Sequence, residues 1–102
     1  MIEPNASCKC TLVVAVDSYL RELLHMRPFL LQRYSEVLEQ MSERWLAEIG
    51  VNQLDALDAQ WLVRYVATCR DRGVAMNACH DFCRWAQQRR LIEQNPLGSI
   101  IG

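Results

Sequence analysis

Apolar positions along the chain recur every three or four residues, and the strict alternation that marks a strand is essentially absent. Leu12, Val16, Tyr19, Leu20, Leu23 and Leu24 trace one face of a helix over about Thr11 to Met26. It should end near Arg27, because the residue before Pro28 is disfavoured in the helical region. Pro28 can open a second helix, since a first-turn N–H has no intrahelical acceptor to lose. That helix is predicted to reach about Glu48. Leu30 or Leu31, Tyr34, Leu38, Met41, Trp45, Leu46 and Ile49 form its apolar stripe, and Glu36, Glu39, Gln40, Glu43 and Arg44 its wet side. Gly50 is well placed to cap it.

A connection, "VNQLDALDA", follows. Asp58 is a natural N-cap for a third helix, with Asp55 as an alternative start. Trp61, Leu62, Tyr65, Val66 and Cys69 share a face of that helix, and Gly73 is expected to stop it. A fourth helix is expected from about Ala75 to Glu93, with Cys79, Phe82, Cys83 and Ala86 turned inward, closing before Asn95-Pro96. The fold class that follows is all-α, a compact four-helix bundle with short connections. Residues 1–10 read as a flexible leader, 11–94 as the helical domain, and 95–102 as the start of a linker.

Length and composition add limits. A chain of 102 residues supplies one modest core. With 51% hydrophobic and 23% charged residues it has an ordinary globular balance. The longest apolar run, "LVVAV", is far short of the roughly 20 residues needed to cross a bilayer. The N-terminal stretch is too short and too weakly basic for a signal peptide. A cytoplasmic protein without a membrane partner is expected. Five cysteines, Cys8, Cys10, Cys69, Cys79 and Cys83, are an odd number and read as reduced thiols.

Candidate chemistry is sparse. His25 and His80 are the only histidines, and no nucleophile elbow accompanies them. His80 follows Cys79, but adjacent helical residues point about 100 degrees apart, which is poor geometry for a Cys–His pair. Cys79 and Cys83 stand at i and i+4 and could share an ion, yet they lie on the stripe of Phe82 and Ala86, as small buried thiols do. No metal and no cofactor is expected. Arginines are the remaining candidates. The whole chain has 11 basic and 12 acidic side chains, a formal charge of -1, which argues mildly against a nucleic-acid partner. Residues 69–92, however, carry Arg70, Arg72, Arg84, Arg89 and Arg90 against Asp71 and Asp81 alone. Steering depends on this local field more than on the total, although a solvated helix face would have the same composition.

The order "VDSYLRELL", "RYSEVLEQMSERWLAEIG", "LDALDAQWLVRYVA" and "FCRWAQQRRLIEQNPLGSI" resembles the N-terminal core-binding domain of tyrosine recombinases of the phage-integrase type. The matching positions are Tyr34, Leu38, Trp45 and Leu46; Leu54, Leu57 and Tyr65; and Phe82, Arg84, Trp85, Leu91, Ile92, Glu93, Asn95 and Pro96. The resemblance spans about residues 13 to 100. It implies a SAM-like helical bundle that clamps double-stranded DNA opposite a separate catalytic domain, in a parent protein that oligomerises on DNA. The family's catalytic residues lie in that second domain, so none is expected here, and the chain by itself is not expected to be an enzyme. Arg33, Arg70, Arg84, Arg89 and Arg90 would meet phosphates, and Asn77 and His80 would face a groove. The chain departs from the family at Ser35 and Glu36, where basic residues are common. The alternative is a helical protein–protein interaction module without DNA contact, suggested by the near-neutral charge and the acid-rich second helix.

Overall fold

The structure, a computed structural model, describes residues 11–98. Four α-helices form in chain order: α1 Leu12–Met26, α2 Pro28–Glu48, α3 Ala59–Thr68 and α4 Arg72–Gln88. A 3-10 turn, Leu54–Ala56, precedes α3. No strand occurs among the described residues, and no described helix is long and apolar enough to cross a membrane. The expected leader, residues 1–10, lies outside the described residues.

Three of the four helices start where a side chain takes a free backbone N–H. Thr11 accepts from Val14 N–H at 3.2 Å, Asp58 from Trp61 N–H at 2.9 Å and Asp71 from Val74 N–H at 3.1 Å. Helix α2 instead opens on Pro28, one residue after α1 ends. At its far end Gly50 takes the left-handed position, φ 81°, that only glycine adopts without strain.

Two helix ends differ from the expected ones. Gly73 does not stop α3, which ends at Thr68 when Cys69 turns extended. Asp71 caps a new helix at once, so Gly73 falls in the first turn of α4, where its N–H needs no intrahelical acceptor. Cys69 accordingly caps α3 and is only half-buried. Helix α4 also ends early, at Gln88 and not near Glu93. Arg90 N–H donates to Gln87 C=O at 3.0 Å and Leu91 N–H to Ala86 C=O at 2.9 Å. This is the paired bonding of a Schellman reversal, with Arg90 at φ 61° where glycine is usual.

The reversal returns the chain to the bundle. Ile92 is buried and Leu97 is completely so. Asn95 fixes the turn between them, its Oδ1 accepting from Leu97 N–H at 2.9 Å. The packed unit thus includes the segment up to Leu97, beyond the boundary at residue 94 read from the sequence.

One core joins all four helices. Leu12, Leu38, Met41, Leu62, Cys79 and Phe82 have no more than trace exposure. The predicted stripes are buried or half-buried, Leu30, Leu31, Leu46 and Cys69 being half-buried, with two exposed exceptions at helix ends, Leu24 and Ile49. Helix α2 packs on α1 and α4, and α4 also packs on α3 and α1. Tyr19, Phe82 and Trp85 form one aromatic group, with ring centroids 5.4–6.0 Å apart, and Trp45, Trp61 and Tyr65 form another at 5.2–5.5 Å.

Two stability measurements follow. Leu97→Ala should lower the unfolding free energy by about 2–4 kcal/mol, the cost of a cavity at a filled core position, where a linker residue would change nothing. Arg90→Gly should raise it by about 0.5–1 kcal/mol, the relief of left-handed strain less the added freedom of glycine in the unfolded chain. Urea titration with an unchanged m-value checks both.

Candidate nucleic-acid interface

Helix α2 and the α3–α4 connection leave an open groove of about 700 Å³ between them. Arg33, Glu36 and Arg44 line it from α2, Thr68 from the end of α3, and Arg70 and Asp71 from the connection. Arg33 and Arg44 are 11 residues apart, about three helical turns, and so share a face. Their roles differ. Arg44 donates to Thr68 Oγ1 at 3.0 Å, pairs with Glu48 at 3.5 Å and lies 5.5 Å from the Tyr65 ring centroid. Arg33 and Arg70 are exposed and make no ion pair among the described residues. Asp71 turns one carboxylate oxygen to the start of α4, where the helix dipole favours a negative charge.

Along α4 the predicted residues Asn77, His80 and Arg84 follow at helical spacing from Val74, which itself borders the groove. Asn77 is exposed. Arg84 Nη2 lies 3.3 Å from His80 Nδ1 and 3.8 Å from an Asp81 carboxylate oxygen. The other Asp81 oxygen accepts from the Tyr34 hydroxyl at 3.0 Å, which ties this row to α2.

The last two predicted residues lie apart from the groove. Arg89 forms a salt bridge to Glu22 on α1, and its guanidinium stacks over Trp85, 5.7 Å from the ring centroid. Arg90 is exposed within the left-handed reversal. Arg33 and Arg70 therefore meet at one groove, Asn77, His80 and Arg84 continue from it, and Arg89 and Arg90 belong to the helix end. Arg44 completes the groove, although periodicity alone assigns it to a merely wet face. Its spacing from Arg33 carried the signal.

The tyrosine hydroxyls serve packing. Burial raises all three above their usual range, Tyr34 to about 12 with the Asp81 hydrogen bond adding to the effect. Burial likewise pushes the Cys83 thiol up to about 12, and Cys79, beside Cys83 and Cys69, rises further. A thiol held protonated in this way is a poor nucleophile and a poor metal ligand. Among the described residues no group of three or more His, Cys, Asp or Glu is arranged to share a metal ion.

Compared with known protein families, with curated proteins and with solved structures, the chain matches none. Two guanidinium groups without an ion pair among the described residues face one open channel, with an amide and an imidazole beyond them, and present hydrogen-bond donors to a polyanion.

The raised thiols have a measurable consequence. A group whose pKa is higher folded than unfolded contributes stability that is intact below its unfolded pKa and lost as pH rises through its folded one. Unfolding free energy should be insensitive to these thiols up to about pH 8 and fall from about pH 9 upward, as the thiols ionise in the unfolded chain first. Urea titrations between pH 7 and about pH 10.5 should show a shallower decline for Cys83→Ala.

Proposed function

We propose that this chain is a DNA-contacting helical domain of the tyrosine-recombinase type, a SAM-like core-binding bundle that grips a duplex opposite a separate catalytic domain. The observation that carries this reading is the groove between α2 and the α3–α4 connection. Arg33 and Arg70 stand on its two sides without an ion pair among the described residues, and Asn77, His80 and Arg84 extend the donor row along α4. The all-helical order and the residues of the closing "LIEQNP" segment support it.

In this role the arginines position the domain on phosphates, and Asn77 and His80 are the side chains able to reach base edges. Strand cleavage belongs to the separate domain, because the tyrosines here are buried packing groups. Glu36 at the groove wall keeps the contact weak.

A second reading, a helical protein-interaction module, draws on a different observation: exposed apolar side chains at the α1–α2 corner.

A labelled duplex titrated at two salt concentrations tests the first reading. Binding on the order of tens of micromolar at physiological salt is expected, tightening steeply as salt is lowered. Arg33→Ala and Arg70→Ala should each weaken it a few-fold and reduce the salt slope by about one. Binding that ignores salt, or its absence at low salt, would sink the reading.

A further inference from the structure

The backbones of α2 and α3 come close at few points, unlike those of α2 with α1 and α4. Side chains that cross the gap therefore hold one helix against the other. In the first turn of α3, Trp61 Nε1–H donates to Glu48 Oε1 at 2.8 Å. Further along, the Tyr65 hydroxyl donates to Val37 C=O at 2.7 Å. At the last residue of α3, Thr68 Oγ1 accepts from Arg44 Nη1 at 3.0 Å.

The third bridge differs from the first two. Trp61 and Tyr65 are buried, so their bonds belong to the core. Arg44 and Thr68 are exposed and line the groove. Arg44 is nevertheless held from three directions. Nη1 is on Thr68, Nη2 pairs with Glu48 at 3.5 Å, and the guanidinium lies 5.5 Å from the Tyr65 ring centroid. Glu48 takes Trp61 with one oxygen and Arg44 with the other, so both ends of α3 hang from one turn of α2. The Thr68 hydroxyl gives its own proton to Tyr65 C=O at 2.7 Å, which leaves its lone pairs for Arg44.

Arg70 stands two residues beyond Thr68. Cys69 between them is extended, and no helix resumes until Asp71 caps α4. The place from which Arg70 enters the groove is thus set by where α3 ends. We infer that Arg44 is the positioning residue of the groove: it holds Thr68, and through Thr68 it fixes the origin of Arg70, while Arg70 and Arg33 meet the phosphates. The donors of Arg44 are already engaged, whereas Arg33 and Arg70 make no ion pair among the described residues. A lysine could not replace it, because only the guanidinium fork addresses a hydroxyl and a carboxylate at once while lying flat on a ring. An exposed bridge of this kind contributes little to global stability, so its loss moves the connection without unfolding the bundle. The phosphate contact of Arg70 rests on the duplex reading of the groove; the hold on Thr68 does not.

Thr68→Val removes the acceptor and no charge. In the full chain it should weaken binding of the labelled duplex a few-fold and lower the salt slope by about one, as Arg70→Ala does, and Thr68→Ser should restore both. Arg44→Lys should bind as poorly as Arg44→Ala. Adding Arg70→Ala to Thr68→Val should cost nothing further, while adding Arg33→Ala should multiply the losses. Without DNA, the Cys69 amide, bonded to Val66 C=O at 3.0 Å, should exchange its hydrogen several-fold faster in Thr68→Val and in Arg44→Lys, with the Leu62 amide unchanged. An unchanged salt slope in Thr68→Val overturns the inference. So does Arg44→Lys binding like the unaltered chain, which would make Arg44 itself a phosphate contact, and so does unchanged exchange at Cys69. If the unaltered chain binds no duplex, the recombinase reading falls, and the exchange measurement alone decides whether Arg44 holds the connection.

Discussion

Four buried aromatic side chains each place a polar tip against a partner, and α2 stands on one side of every such bond. Trp45 Nε1–H donates to Val51 C=O at 2.7 Å, and Trp61 Nε1–H to Glu48 Oε1 at 2.8 Å. The Tyr65 hydroxyl donates to Val37 C=O at 2.7 Å, and the Tyr34 hydroxyl to Asp81 at 3.0 Å. Leaving a buried donor unmatched costs about 1–3 kcal/mol, so these bonds penalise any sliding of α2 against its neighbours. They hold the groove open at a fixed width, because Val37, Arg44 and Tyr65 belong to its lining. The exception is Trp85, whose buried indole N–H has no acceptor among the described residues. Its ring sits against Tyr19 and Phe82 and beneath Arg89, so packing and cation–π attraction hold it in place of a hydrogen bond.

The helices themselves were readable from the pattern of side chains. Periodicity located all four, and the caps at Asp58 and Gly50 act through the chemistry their residue types suggest. The two misplaced ends have separate causes. Gly73 reads as a breaker, while Asp71, two residues before it, is the stronger local instruction. At the other end the apolar pattern runs on through Leu91 and Ile92, and both residues do pack inward, but from a reversed chain and not from a continued helix. Periodicity reports which residues face the core and is silent on whether the backbone is still helical when they do. The arginine at the reversal hid the event further, since glycine is the residue that normally announces it.

The candidate site was legible only as a set of residue types. That Arg33 and Arg70 oppose each other depends on how α2 lies across the α3–α4 connection, which no local pattern encodes. That Arg89 is bound to Glu22 depends on α1 and α4 meeting near their C-terminal ends. An arginine four residues from another looks identical in sequence whether its guanidinium is free or clamped.

This distinction also settles what the formal charge of -1 means. Several carboxylates are held in internal work: Asp58 and Asp71 cap helices, Glu48 accepts from Trp61 while pairing with Arg44, and Asp81 accepts from Tyr34. The capping pair lie at helix N-termini, whose partial positive charge offsets them. Glu39 and Glu43 point to solvent on the outer side of α2, so their field is screened by water before it reaches the groove. Among the described residues the exposed arginines outside any ion pair are Arg27, Arg33, Arg64, Arg70, Arg72 and Arg90, of which Arg33 and Arg70 share the groove, and they are therefore felt locally more strongly than a near-zero total suggests. A partner's first encounter with this protein is governed by those few groups, because steering follows the potential at the surface it approaches.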